Sequence, residues 1–242
     1  MSNIVRYTVQ SDRYSHIPGQ PIAYWVSNSF ANLFKEKAIS SYGDSRQGLI
    51  TGDNERFLKM WFEPNATKIS LFSGNKWFPY NKGGLYRKWY GNNDLVVNWQ
   101  NDGFEIKNHK DKQGKLLSRP QNLQYYFRQS ITWTALTSGL FNARYSSDGF
   151  IFDAKGSSFF VHQTTKYYSM IAYFNSKVAN YILKVIAPTL DYNAGVVAKL
   201  PYIDAKESSE VIDEYAKSAI SDAKKDWDSF ETSWDFKKHP LI

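Results

Sequence analysis

Apolar residues near the start of the chain recur every three or four positions, which is typical of a helix with one buried face. Proline suits a first helical turn, so the pattern predicts a helix that begins at Pro21. Its apolar face consists of Ile22, Trp25, Val26, Phe30, Leu33 and Phe34. A Gly-, Ser- and Asp-rich stretch covers residues 40–54, and the alternation over 56–62 then predicts a half-buried strand.

The middle of the chain consists of short β-forming runs interrupted by Gly, Asn and Pro. The runs at 95–99, 130–135 and 141–145 predict strands, the last two of which would form a hairpin or part of a meander. Two further strands are expected at 150–153 and 159–161, on either side of a turn at 155–157.

Helical periodicity returns after residue 167. Tyr168, Ile171 and Ala172 begin one helical face, and Asn175-Ser176 is a suitable cap for a second helix that Pro188 would end. Asp204, with Glu207 three residues later, has the form of a capping box in front of a long terminal helix. The apolar stripe of this helix consists of Ile212, Tyr215, Ala219, Ile220, Ala223, Trp227 and Phe230.

The predicted fold class is therefore α+β, with a β-rich centre bracketed by helices and a long C-terminal helix. Residues 1–203 would form the main domain. Residues 204–242 would form a helical segment that docks on this domain or links it to a further region.

Composition excludes several classes of protein. Apolar residues make up 42% of the 242 residues and aromatic residues 17%, which is too rich for a disordered chain. No apolar run is long enough to span a membrane, and the N-terminus has no secretory h-region, so the cytoplasm is the expected location. The chain has no cysteine, and its four histidines are scattered, so no metal site is predicted.

The net charge of +7 fits a polyanionic partner but does not require one. Its distribution is more informative. Residues 204–242 hold six Lys and Arg against ten Asp and Glu, and residues 1–203 hold 24 against 13. The positive charge therefore belongs to the main domain.

Two basic segments supply candidate DNA-binding residues, because cations neutralise phosphates, whereas Asn and Arg can read base edges. The first segment contributes Lys76, Asn81, Lys82, Arg87, Lys88 and Asn92. The second segment and its surroundings contribute Lys107, Lys110, Lys112, Lys115, Arg119 and Arg128. Taken singly, the aromatic residues of the first segment favour a core position, because buried aromatics are the commoner case, and the second segment can equally be a solvated loop.

The stretch 47–57 has turn chemistry in front of a strand, and taken locally it favours a simple capping turn over a binding loop. Its spacing, with Gly48, Thr51, Gly52 and Asn54, nevertheless resembles the GxxTGxNxxF signature of the recognition region in adenine-N6 methyltransferases. Longer words resemble the PglX-like methyltransferase family of BREX phage-defence systems. They are KWFPYNKGGLYRKWYGNNDLVVNW (76–99), SRPQNLQYYFRQSITWTALTSGLFNARY (118–145), FNSKVANYILKVIAPTLDYNAGVVAKLP (174–201) and DWDSFETSWDFKKHPL (226–241).

The resemblance implies a target-recognition domain of a SAM-dependent adenine-N6 DNA methyltransferase, related to recognition domains of type IIG and type I restriction-modification proteins. The expected partners are double-stranded DNA and a methyltransferase catalytic domain or other defence-complex subunits. The chain has no GxG turn and no Asn/Asp/Ser-Pro-Pro-aromatic motif, so we expect no catalytic residue and no cofactor in it, SAM being implied for a separate catalytic domain. The alternative is a protein-interaction scaffold of the same complex, and a carbohydrate-binding module is a remote third reading.

Overall fold

The computed structural model describes residues 15–21, 23, 25–187, 189, 191–204 and 209–241, and within them the strands form two four-stranded sheets. The first sheet contains β1 (Gly43–Arg46), β5 (Ser130–Trp133), β6 (Ala143–Ser146) and β8 (Ser158–Val161). Its order is β1-β8-β5-β6, and every neighbouring pair is antiparallel.

The second sheet contains β2 (Leu58–Met60), β3 (Trp77–Asn81), β4 (Leu95–Asn98) and β7 (Ile151–Phe152). Its order is β2-β4-β3-β7, and only the β3–β7 pair is parallel. Isolated bridges extend this sheet beyond β7, because Leu49 pairs with Asp153 in parallel and Ile50 pairs with Arg119 in antiparallel fashion.

The helices lie around these sheets. They are α1 (Asn28–Leu33), α2 (Asn54–Phe57), α3 (Gln100–Lys107), α4 (Tyr167–Phe174), α5 (Lys177–Ile186), α6 (Ala194–Val197) and α7 (Ser209–Asp228). The predicted α+β class and the long C-terminal helix are both confirmed. No helix in the described part of the chain is both long and apolar enough to cross a membrane.

Two hydrophobic cores are present, one beside the first sheet and a second beside the second sheet that also includes Phe160 of β8. Trp133, Phe141 and Phe174 pack together between the first sheet and the helices α4 and α5. The second core is smaller and includes Tyr80 and Trp99. Burial of such large apolar side chains is the main favourable contribution to folding, at roughly 1.5–3 kcal/mol each.

The strand predictions are confirmed for 95–99 and for the hairpin, where Ile131 of β5 faces Tyr145 of β6. Strands also form at 151–152 and 158–161, but they belong to different sheets. The tight turn at 155–157 therefore carries the chain from one sheet to the other, which alternation of apolar residues cannot show.

The start of one helix and the bounds of one strand were predicted wrongly. The first helix begins at Asn28, because the hydroxyl of Ser27 accepts a hydrogen bond from the backbone of Phe30 and caps it. Trp25 is 59% exposed, and Ile22 lies outside the described residues. The strand predicted at 56–62 is shortened to β2, because Asp53 caps α2 in front of it.

Residues 100–107 form α3 in a region where only strands were expected. Three consecutive residues within this span, Asn101, Asp102 and Gly103, have positive φ. Asn, Asp and Gly are poor helix formers, so the helix propensities of these residues do not indicate a helix here.

At the C-terminal side, Ser176 caps α5 as predicted. Pro188 and Glu207 lie outside the described residues, so the predicted helix end and capping box stay predictions. The helix α7 packs against α4, and Trp227 near its end is buried.

Candidate nucleic-acid interface

Three chain segments that run in the same direction end at one edge of the second sheet. β3 and β7 are parallel neighbours, and Leu49 pairs in parallel with Asp153 beyond β7. The residues that follow these segments therefore meet. We call this place, comprising Thr51, Asn54, Lys82, Asp153 and Lys155, the motif edge, since Thr51 and Asn54 belong to the sequence signature.

Polar contacts connect the members of the motif edge. The Nζ of Lys82 lies 2.7 Å from Oδ2 of Asp153 and donates to Oδ1 of Asn54 at 3.3 Å. The same Asn54 oxygen accepts a hydrogen bond from the Thr51 hydroxyl at 2.7 Å. The side chain of Asp153 is 5% exposed and that of Lys82 is 35% exposed. Lys82 therefore covers a buried carboxylate while its ammonium group still reaches solvent.

Asp153 is the centre of this arrangement. The hydroxyl of Tyr80 donates to its Oδ2 at 2.7 Å, and the backbone N–H of Lys155 donates to its Oδ1 at 2.7 Å. Burial, together with the negative charge of Asp153, raises the pKa of Tyr80 well above its usual value of 10.0. Tyr80 therefore remains a neutral hydrogen-bond donor at physiological pH, and Asp153 is held in place from three sides.

Both glycines of the signature are required by close backbone contacts. A Cβ at Gly48 would lie 1.8 Å from the carbonyl oxygen of Phe152. Gly52 has φ of +78°, and a Cβ there would lie 2.7 Å from the carbonyl of Leu117. The signature thus allows the turn at 51–54 to pack against the segment that contains Leu117.

That segment belongs to a basic hairpin, residues 108–117. Lys110 pairs with Leu116, and the Asp111 carboxylate accepts hydrogen bonds from the backbone of Gln113 and Lys115, which orders the tip. The side chains of Lys110, Lys112 and Lys115 point into solvent. None of the three has an ion-pair partner among the residues that the structure describes.

Arg119 lies between the basic hairpin and the motif edge. Its backbone exchanges two hydrogen bonds with Ile50, at 3.1 and 2.8 Å, directly before Thr51. Its side chain is exposed. The structure therefore brings the signature residues, Lys82, Arg119 and the three hairpin lysines to one side of the second sheet, although they are widely spaced in the sequence.

Other candidate residues lie elsewhere. The prediction that Asn81 contacts DNA is corrected, because this residue is only 3% exposed and does not face solvent. Its side-chain amide donates to the Ser146 hydroxyl at 2.7 Å. Arg87 stacks on Trp227 at 4.8 Å, and Lys88 donates to the backbone carbonyl of Asn175. Arg87 therefore contacts α7, and Lys88 contacts the turn between α4 and α5.

The remaining candidates are dispersed. Asn92 donates to the carbonyl of Leu85, Lys107 pairs with Asp102, and the guanidinium of Arg128 lies 5.3 Å from the ring of Tyr125. Lys76 lines a separate groove of about 410 Å³, which we call the lysine groove. Lys59, Lys68 and Trp77 also line it.

Sequence reasoning missed Lys59, Lys68, Asp153 and Lys155. The two lysines of the groove are isolated cations in unremarkable stretches. A backbone hydrogen bond from Lys76 to Lys68 brings Lys68 to the groove, and the sheet order β2-β4-β3 brings Lys59 of β2 to it. Asp153 and Lys155 were included in a predicted strand and turn, and no sequence signal indicates that they meet Lys82.

A scan against protein-family models finds no match. Two curated proteins are similar to the chain. The adenine-specific methyltransferase PglX of Lacticaseibacillus casei (strain Zhang) is 39% identical over 246 residues, which is 98% of this chain and 20% of that protein. The adenine-specific methyltransferase BrxX of Escherichia coli O9:H4 (strain HS) is 38% identical over 246 residues, covering 99% of this chain and 19% of that protein.

The chain thus spans about a fifth of the length of the curated relatives that it matches. Identity near 40% along almost the whole chain is far beyond what shared composition produces. The chain is therefore similar in sequence to a segment of the adenine-specific methyltransferases PglX and BrxX.

Proposed function

We propose that this chain is the DNA target-recognition part of a PglX-like adenine-N6 DNA methyltransferase of BREX phage defence. It binds duplex DNA through the motif edge and the basic hairpin, and it positions the target adenine for a catalytic domain outside this chain. SAM binding and methyl transfer belong to that domain, because this chain has neither a GxG turn nor a base-holding Pro-Pro motif.

One observation carries the proposal: the methyltransferase signature and the cations without ion-pair partners lie side by side. Lys110, Lys112, Lys115 and Arg119 contribute four positive charges, and no carboxylate in the described part of the chain pairs with them. Such a surface binds phosphates through counterion release, independently of base sequence.

The motif edge supplies the groups that can discriminate between bases. Asn54 and the ammonium of Lys82 reach solvent, whereas Thr51 and Asp153 behind them restrict their positions. An amide or a cation that is held in place reads the donors and acceptors of a base edge better than a freely rotating one. The basic hairpin therefore provides affinity, and the motif edge provides sequence preference.

Titration of duplex DNA at several salt concentrations tests the proposal. The expected result is binding whose logarithmic affinity falls linearly with the logarithm of the salt concentration. Absence of binding at low salt, or binding with no salt dependence, would contradict it. An acidic polymer without bases, such as heparin, serves as a control, because it measures the contribution of charge alone.

The exposed face of α7 favours a second candidate function, docking of another protein component. Val211 and Tyr215 are 54% and 74% exposed and lie four residues apart, so they share one helix face. Sedimentation of the chain with a PglX-like fragment that lacks the corresponding segment tests this. Association that Val211→Ser and Tyr215→Ser abolish would support docking, and unchanged association would contradict it.

A further inference from the structure

The tip formed by Gly83, Gly84, Leu85 and Tyr86, which we call the glycine tip, presents two apolar side chains to solvent. Leu85 is 84% exposed and Tyr86 is 50% exposed. Gly83 and Gly84 have φ of +99° and +126°, which only glycine adopts without strain. These conformations turn the chain outwards directly after Lys82.

The glycine tip is tied down at its base. The hydroxyl of Thr134 donates to the carbonyl of Gly84 at 3.1 Å, and the amide of Asn92 donates to the carbonyl of Leu85 at 2.8 Å. Arg87, the next residue, pairs with Asp226 at 3.1 Å and stacks on Trp227. The backbone at Leu85 and Tyr86 is therefore held in place, so little backbone entropy remains to be lost when these residues bind a partner.

The glycine tip adjoins the motif edge. Gly83 follows Lys82 in the chain, and a Cβ at Gly83 would lie 3.4 Å from the carbonyl oxygen of Lys155. The two apolar side chains are therefore beside the surface proposed to contact DNA. Isolated exposed apolar residues are common and need no explanation. Leu85 and Tyr86 differ in that both lie beside the surface proposed to contact DNA.

A buried positive charge lies beneath the glycine tip. Arg144 is 1% exposed, and one of its terminal nitrogens lies 3.4 Å from the same Thr134 hydroxyl that holds Gly84. The other donates to Oδ1 of Asn142 at 2.7 Å. Its Nε has no hydrogen-bond partner, and no carboxylate pairs with it, within the described residues.

Burial lowers the pKa of Arg144 from its usual value to about 10, so this guanidinium is still charged at neutral pH. A charge without a counter-ion, in a region of low dielectric constant, projects a positive potential towards the nearest surface. Lys82 and Lys155 are paired with Asp153 and Asp191 and so add little net charge. The potential at the glycine tip therefore favours an anionic partner over an apolar protein surface.

We propose that Leu85 and Tyr86 insert between stacked base pairs of the bound duplex and open the helix at that step. Apolar side chains next to cations are the means by which many DNA-binding proteins unstack a base step, while the cations hold the phosphates. This inference rests on the proposed DNA-recognition function. It adds that this segment helps to expose a base, a step that methylation of an adenine within a duplex requires.

The experiment uses a duplex enriched by the chain from a random pool, with 2-aminopurine substituted in turn at each adenine. The fluorescence of 2-aminopurine rises when the base loses its stacking partners. We expect the wild-type chain to produce a rise at one position or at two adjacent positions. Leu85→Ala/Tyr86→Ala should lose this rise and keep the salt dependence of binding, because the phosphate contacts come from other residues.

The matched control is Tyr181→Ala/Leu241→Ala, which removes a tyrosine and a leucine that are 49% and 89% exposed elsewhere. It should keep the fluorescence rise, and thermal denaturation should show that both double variants are folded. Salt-dependent binding without any rise would overturn the insertion and leave the proposed function intact. A fluorescence rise that the Leu85→Ala/Tyr86→Ala variant retains would also overturn the insertion and leave the proposed function intact. The glycine tip would then be assigned to a protein contact. Failure of the wild-type chain to bind duplex DNA at low salt would overturn both.

Discussion

Replacing the three lysines of the basic hairpin, in Lys110→Ala/Lys112→Ala/Lys115→Ala, should weaken DNA binding in a way that depends on salt. All three side chains are exposed, and they lie on a hairpin whose backbone is ordered by Asp111. Each lysine that neutralises a phosphate contributes about 0.9 to the slope of log K against log salt, so three contribute about 2.7. Between about 50 and about 200 mM salt, that slope corresponds to about 40-fold in affinity.

Fluorescence anisotropy of a labelled duplex, titrated at five or six salt concentrations, measures the slope. The matched control is Lys177→Ala/Lys184→Ala/Lys199→Ala. It removes the same net charge from exposed lysines on α5 and after α6, beside the first sheet. The control should keep the wild-type slope, whereas the hairpin variant should lose between two and three slope units. Equal slopes for the hairpin variant and the wild-type chain would refute the assignment of phosphate contacts to the hairpin.

Three further predictions concern the motif edge and the core beneath it. In a urea titration, Gly48→Ala should lower the free energy of unfolding by more than about 2 kcal/mol, since its Cβ would overlap the carbonyl of Phe152. The control Gly139→Ala should be close to neutral, because the nearest atom to its Cβ would be 3.6 Å away. Lys82→Met should lower the free energy of unfolding by about 1–2 kcal/mol, which is less than for a fully buried ion pair because Lys82 is partly exposed. In a double-mutant cycle, adding Asp153→Asn should recover part of this loss, and strictly additive effects of the two substitutions would contradict the ion pair. Folding raises the pKa of Tyr80, through burial first and Asp153 second, so the stability that neutral Tyr80 contributes should be fully present below pH 10.0 and fall as the pH rises further. In urea titrations from pH 8 to about pH 11, Tyr80→Phe should be less stable than the wild-type chain at pH 8 but should lose less stability as the pH rises. Equal losses of stability in the two chains would count against the assignment.

Local sequence patterns were sufficient for much of the fold. The β5–β6 hairpin and the Ser176 cap of α5 depend on residues close together in the chain, and both were predicted. The start of α1 was not, because the pattern favoured Pro21 as a first helical position, whereas the helix begins after the Ser27 cap. The positive φ angles at 101–103 likewise cannot be predicted from the periodicity of apolar residues.

The candidate interface was predicted only in part, and the reason is topological. The signature turn, the hairpin lysines and Lys82 were each identifiable as residue types, but their meeting depends on the parallel β3–β7 pair and on the Leu49–Asp153 bridge. Parallel pairings join distant segments and leave no local pattern. Conversely, Arg87 and Lys88 look like DNA contacts in the sequence, and only the position of α7 shows that Arg87 has another partner.

Selection from a random duplex pool tests the central claim, that this chain recognises a DNA target, most directly. The chain is immobilised, a pool of random duplexes is bound and eluted through several rounds, and the enriched population is sequenced. The account predicts enrichment of a short motif that contains an adenine, and a lower affinity for the same duplex with that adenine–thymine pair inverted. A pool that remains random after selection, although it binds in a salt-dependent manner, would contradict target recognition and leave only a non-specific basic surface.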